Sequence, residues 1–143
     1  MSSTPASLWL RVAAGLYDLF PLIALWMLTA GVALLAVRGE VDLSHPSFGW
    51  QVGLRTALVV VTCAYFVISW ARGGQTIGMR AWRLLLVDAS GRKLSWPRCV
   101  LRFAIACISL GALGLGFLWC LVDARNRAWH DLVARSVLVR LEK

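Results

Sequence analysis

Polar and apolar positions divide the chain into three long apolar runs separated by charged segments. The first run extends from about Leu8 to Val37, the second from about Trp50 to Ala71, and the third from Cys99 to Val122. A helix needs about 20 mostly apolar residues to cross a bilayer, and each run supplies that many. Ser2 to Ser7 is a short polar lead, and Arg38 to Gly49 is a turn-rich loop. Residues 72–98 form a basic connector, with Arg72, Arg80, Arg83, Arg92, Lys93 and Arg98 against Asp88 alone. In it, Arg83 to Asp88, the turn Ala89 to Arg92, and Lys93 to Trp96 read as strand, turn and strand. Pro97 then opens the third run, a favoured place for proline. The tail, 123–143, is basic again and ends in a strand-like stretch at 137–141.

Two charges interrupt the first run. Arg11 opens it and Asp18 lies seven residues further in. Seven helical steps bring Asp18 almost under Arg11, roughly 10 Å deeper along the axis. An ionisable group there costs about 2.5–3.5 kcal/mol, so Asp18 is expected to face protein or a wet cavity, with a partner. Pro21 predicts a kink near residues 17–20. No basic residue precedes the run and Asp18 breaks it, so it reads as a retained helix, not a cleavable signal. Trp50 and Trp70 fit the aromatic belts of the second span.

The basic segments at 72–98 and 123–143 conflict with three straight spans, which would put them on opposite sides of the membrane. Both belong inside by the positive-inside tendency. Gly111, Gly114 and Gly116 offer a way out by breaking the third run into a re-entrant hairpin. A straight third span is the competing reading, since Phe103 to Val122 is uncharged and long enough. With the hairpin, the tail strand joins the 83–96 strands in a small three-stranded cytoplasmic cap. The fold class is therefore a mainly α, polytopic membrane protein forming a single domain over 1–143.

Composition adds little to this and removes several functions. The 143 residues are 59% apolar, which excludes a small soluble domain. The net charge of +8 sits beside apolar runs, where topology explains it better than nucleic acid does. Cys63, Cys99, Cys107 and Cys120 have no metal spacing and read as packing residues. His45 and His130 stand far apart, and His130 reads as a hydrogen-bonding residue with an ordinary titration near neutral pH. The Gly73 to Gly78 stretch lacks the ending of a phosphate loop and reads as a tight turn in which Gln75 and Thr76 cap or dock. No nucleophile with its base, carboxylate pair or cofactor loop is present, so no enzyme and no cofactor are expected.

The order of these features resembles the RDD family of small, mainly bacterial membrane proteins, named for one arginine and two aspartates. Arg11 and Asp18 in RVAAGLYD match the first two, and Asp131 in NRAWHDLVARSVLV matches the third. The stretch GGQTIGMRAWRLLLVDASGRKLSW resembles the family's middle signature, through Gly74, Gln75, Thr76 and Gly78. Arg102 falls where members often have an arginine. Met79 stands where many carry lysine, and Trp129 where a leucine is common. The resemblance implies a bacterial inner-membrane protein with an intramembrane network of Arg11, Asp18, Asp131 and Arg102. It also implies a part in transport of cations or small solutes. A non-transporting structural or accessory subunit is the alternative. The expected pairs are Asp18 with Arg102 and Arg11 with Asp131. The expected partners are the lipid bilayer and either further copies of the chain or other membrane proteins, with no nucleic acid.

Overall fold

The computed structural model describes residues 3–37, 42, 44–124 and 126–141. Arg38 and Glu40 of the loop after the first run, and Arg125 and Lys143 of the basic tail, lie outside them. Helix α1 runs over Leu8–Ala36 and passes through Pro21 without ending. Helix α2 runs over Phe48–Ile68, starting two residues earlier than the apolar pattern suggests because Ser47 caps it through the Trp50 N–H. A π-helical turn, Ser69–Gly73, extends it to a 26-residue span. Both helices are long and apolar enough to cross a membrane. Trp26 on α1 donates its indole N–H to Thr62 on α2 at 2.9 Å. Apart from such contacts, both present open apolar surface, with Trp9, Phe20, Met27, Leu35 and Phe48 among the exposed side chains. Lipid satisfies such a surface where water would not.

Beyond α2 come the five-residue helix α3 (Ile77–Ala81) and strand β2 (Leu84–Asp88). Helix α4 (Trp96–Gly111) and the short α5 (Leu115–Leu118), continued by a 3₁₀ turn to Leu121, make up the third apolar segment. The two halves are bent by 107°. The break falls at residues 112–114, where Leu113 (φ 55°) and Gly114 (φ 78°) both adopt left-handed backbone. The glycine run therefore ends a helix, and a straight third span is not formed. Helix α6 (Trp129–Val133) and strand β3 (Ser136–Leu141) complete the chain.

The sheet differs from the hairpin expected at 83–96. β2 forms, but residues 92–95 are not a strand and return only one backbone bond, from the Asp88 N–H to the Arg92 carbonyl. The Asp88 carboxylate instead closes the turn on Ser90 and Arg92. The third strand comes from the chain's start: β1 (Ser3–Pro5) lies in what reads as a polar lead. The order is β1-β3-β2, with β3 central and antiparallel to both neighbours; Leu85 faces Val139, and Thr4 faces Arg140. Under the sheet lies the core, formed by Ala6, Ala14, Val67, Trp70, Met79, Leu84, Leu86, Leu94, Cys99, Ala134 and Leu138. Three distant segments thus meet in one small layer at one end of the helices.

Candidate functional site

The charged residues expected to form one network form two separate clusters, both on one face of α1. Along that face Arg11, Ala14, Asp18 and Leu22 follow at helical spacing, and the last three are buried.

Asp18 does not meet Arg102. It is held by neutral donors from α2 and from the Gly74–Gly78 turn. The turn is built in steps. Gly74, in the left-handed region at φ 68°, ends the π turn by donating its N–H to the Trp70 carbonyl at 2.9 Å. Its own carbonyl accepts from the Leu86 N–H at 2.8 Å, and Gln75 donates its side-chain amide to the Leu84 carbonyl at 2.7 Å. Both bonds lash the turn to β2. Thr76 then caps α3, its hydroxyl oxygen accepting from the Met79 N–H at 3.1 Å. The same hydroxyl donates to one oxygen of Asp18 at 2.6 Å. The Gly78 N–H, at 2.8 Å, and the Tyr65 hydroxyl, at 2.6 Å, donate to the other.

The polarity of these bonds is fixed. Each hydroxyl oxygen already accepts from a backbone N–H, Thr76 from Met79 and Tyr65 from Ile77 at 3.4 Å. Each hydroxyl hydrogen therefore points at the carboxylate, an acceptor group. Gly78 makes the approach possible: a Cβ there would lie 2.0 Å from the Ala14 carbonyl oxygen and 2.9 Å from the Asp18 carboxyl carbon. The short helix thus presents one N-terminal N–H, that of Gly78, to the chain's own carboxylate.

The second cluster centres on Asp131, which is fully buried. One carboxylate oxygen lies 2.6 Å from Arg11 and also accepts from the Ala128 N–H at 3.1 Å. The other accepts from Arg102. Arg102 also donates to the Ser136 hydroxyl at 3.0 Å and lies 5.0 Å over the Trp70 ring. Trp70 is therefore a buried partner of Arg102, not an interfacial belt residue. Arg11 donates further to the Asn126 carbonyl at 2.9 Å. Burial by itself would push the Asp131 carboxyl up, but Arg102 and Arg11 hold it well below the usual carboxylate range. Two guanidiniums against one carboxylate leave one net positive charge in the cluster.

His130 stands beside it, its ring 4.8 Å from Phe117 and its Nε2 3.7 Å from Asp131. Burial and the nearby Arg102 push it down to about 3, so it is neutral at physiological pH instead of titrating there.

Of the residues singled out from sequence, the structure brings together Arg11, Arg102 and Asp131, and separately Asp18, Thr76 and Gly78. Gly74 and Gln75 shape the turn without touching Asp18. Tyr65, Ser136 and Trp70 belong to the clusters and carried no motif. A tyrosine in an apolar run was the only local sign of Tyr65. Chemically, the hydrogens surrounding Asp18 suit an anion, whereas a bound metal cation needs several oxygen acceptors gathered around it. No group of three or more His, Cys, Asp or Glu side chains converges among the described residues.

No curated protein and no solved structure matches the chain. The sequence profile described as the RDD family matches residues 5–135, nearly the whole length. The chain belongs to the RDD family, as a membrane protein with two span-forming helices, a bent third segment and a small sheet.

Proposed function

We propose that the chain is a small accessory subunit of the bacterial inner membrane whose buried charges lock its segments together and do not conduct. The observation that carries this reading is the saturation of both buried carboxylates: Asp18 accepts three hydrogen bonds, and Asp131 is met by two arginines and a backbone N–H. Removing one member of such a set is costly, about 3–5 kcal/mol for a buried ion pair. The open apolar faces of α1 and α2 would meet lipid, further copies of the chain, or partner membrane proteins. The basic residues flanking the sheet favour the cytoplasm for that side. A single three-stranded sheet cannot straddle a bilayer. With α1 and α2 both crossing, residues 96–121 would then enter and leave on the same side.

A second reading, transport of a cation or small solute, is favoured by one observation: every donor at Asp18 is neutral, so its charge has no counter-charge in the cluster.

The deciding experiment is ion flux in vesicles carrying the purified protein, with residues 90 and 137 labelled through introduced cysteines to fix sidedness. No flux above protein-free vesicles is expected, with both labels accessible from the same side. Flux abolished by Thr76→Val or Asp18→Asn, at unchanged amounts of folded protein, would overturn the accessory reading. Labels on opposite sides would overturn the re-entrant segment.

A further inference from the structure

A concave surface that includes no residue of either cluster lies at the junction of the β2 turn with α4. It is about 350 Å³ in volume and is lined by Asp88, Arg92, Lys93, Ser95 and Arg98. Three cations therefore face one carboxylate. That carboxylate is occupied, since Asp88 accepts from the Ser90 N–H at 2.8 Å, the Ser90 hydroxyl at 2.6 Å and the Arg92 N–H at 2.9 Å. Arg92 leans back on this turn, its Nε 2.9 Å from the Ser90 hydroxyl and 3.7 Å from Asp88. Lys93 spans from the hollow to the end of the second span, donating to the Arg72 carbonyl at 2.8 Å. Arg98 has no hydrogen bond or ion pair among the described residues. The Ser95 hydroxyl makes no hydrogen bond among the described residues, neither capping the helix it precedes nor donating elsewhere, so its hydrogen is open to a ligand.

Position narrows the ligand. Arg98 is the third residue of α4, where the third apolar segment begins, and the exposed Trp96 stands beside it. The Arg72 carbonyl that Lys93 holds belongs to the last turn of the second span. The hollow therefore sits where helices pass from polar surroundings into apolar ones, at headgroup depth. A free solute and a headgroup share the chemistry that three cations and a hydroxyl recognise, a phosphate anion. Only the headgroup is already held at that depth.

We infer that this hollow binds the phosphate of an anionic phospholipid headgroup, with Arg98 and Lys93 as its principal contacts. The inference is independent of whether the chain transports anything.

The test is native mass spectrometry of the whole protein in mild detergent, titrated with phosphatidylglycerol, with phosphatidylcholine, and with inorganic phosphate. One phosphatidylglycerol is expected to persist where phosphatidylcholine is lost. Arg98→Gln should weaken its retention about fivefold, the effect of one cation near an anionic surface. Arg98→Gln removes no bond within the described residues, so the fold is retained; Lys93→Gln supplies a second, independent variant. Arg140→Gln, elsewhere on the basic side, should leave retention unchanged. Equal retention of the two lipids would overturn the site, as would equal loss on Arg140→Gln, which signals diffuse attraction. Inorganic phosphate bound with no preference for lipid would overturn the headgroup as the source.

Discussion

Gly78→Ala tests the Asp18 clamp most directly. A Cβ at this position would lie 2.0 Å from the Ala14 carbonyl oxygen, 2.9 Å from the Asp18 carboxyl carbon and 3.0 Å from the Ala14 carbonyl carbon. Two of these atoms are backbone of a long helix and cannot rotate away. Ordinary contact begins near 3.4 Å, so α3 must retreat from α1 by about 1 Å or more. The 2.8 Å bond from the Gly78 N–H to Asp18 then opens beyond reach, and the adjacent Thr76 bond moves with it. Hydrogen bonds to a charged group contribute about 1.5–3 kcal/mol each, so the two together cost about 3–6 kcal/mol. Against a total stability of about 5–15 kcal/mol, that is a large share. At about 2–4 °C per kcal/mol for a chain of this size, the melting temperature in mild detergent should fall by about 6–24 °C. Gly53→Ala is the control: nothing lies within 4 Å of its Cβ, and a helical alanine there should be neutral or gain up to about 1 kcal/mol. Adding Asp18→Asn to Gly78→Ala should cost little more than either alone, because both disable one unit. A Gly78→Ala protein melting within about 2 °C of the parent would refute the clamp.

The other predictions use the same melting assay. Thr76→Val removes both a donor to Asp18 and the cap of α3 and should cost about 2–4 kcal/mol, while Thr76→Ser should recover most of it; equal losses would mean that the hydroxyl does nothing. Asp131→Asn leaves Arg11 and Arg102 buried without their carboxylate and should cost about 3–5 kcal/mol; a loss under about 1 kcal/mol would show that the cluster is not a lock. His130, pushed down to about 3, stays unprotonated in the fold while the unfolded chain takes up a proton below pH 6.5. Stability should therefore fall as pH drops from about 6.5 toward 3, by up to about 1.4 kcal/mol per unit, and His130→Leu should flatten that slope. The contribution of Asp131, whose carboxyl is lowered, is present at higher pH and is lost only below about pH 4, so the two windows separate in a pH series.

The apolar pattern located both spans to within a few residues because lipid imposes length and composition on each helix without reference to the rest of the fold. It also located the break in the third segment, since clustered glycines admit left-handed backbone such as that at Gly114. The sheet was half legible. β2 and β3 are short runs of leucine and valine bounded by charged and turn residues, but β1 is Ser-Thr-Pro, and only pairing with Val139 to Leu141 makes it a strand. Lys93 to Trp96 failed to pair because the Asp88 carboxylate draws the chain into a tight turn and Ser95 then opens a helix. Arg11 with Asp131 was legible as a charge pair. Asp18 with Arg102 was not a true pair, since counting charges ignores neutral donors, and a hydroxyl at Tyr65 or an amide at Gly78 gives no sign in the sequence of where it points.

The two clusters divide their work by depth along α1. Arg11 is near the helix start, where its guanidinium reaches the segments that precede α1 and α6, through Ala6 and Asn126, and meets Asp131 from the tail. Charged pairing is affordable there because α4, α6 and β3 close over it. Asp18 lies roughly 10 Å deeper. A second guanidinium at that depth would carry its own desolvation cost, whereas hydroxyls and a helix N–H satisfy a carboxylate without adding charge. The turn Gly74 to Gly78 delivers those donors while its two other bonds, to Leu84 and Leu86, tie it to β2. β2 pairs with β3, and β3 follows directly on the helix that carries Asp131. Asp18 and Asp131 are therefore linked through α1 on one side and through the sheet on the other. Release at either carboxylate would loosen a closed ring of contacts, so the two locks should show coupled stabilities even though no atom of one touches the other. A double-mutant cycle between Thr76→Val and Asp131→Asn measures this: a coupling above about 0.5 kcal/mol is expected, and strict additivity would break the ring argument.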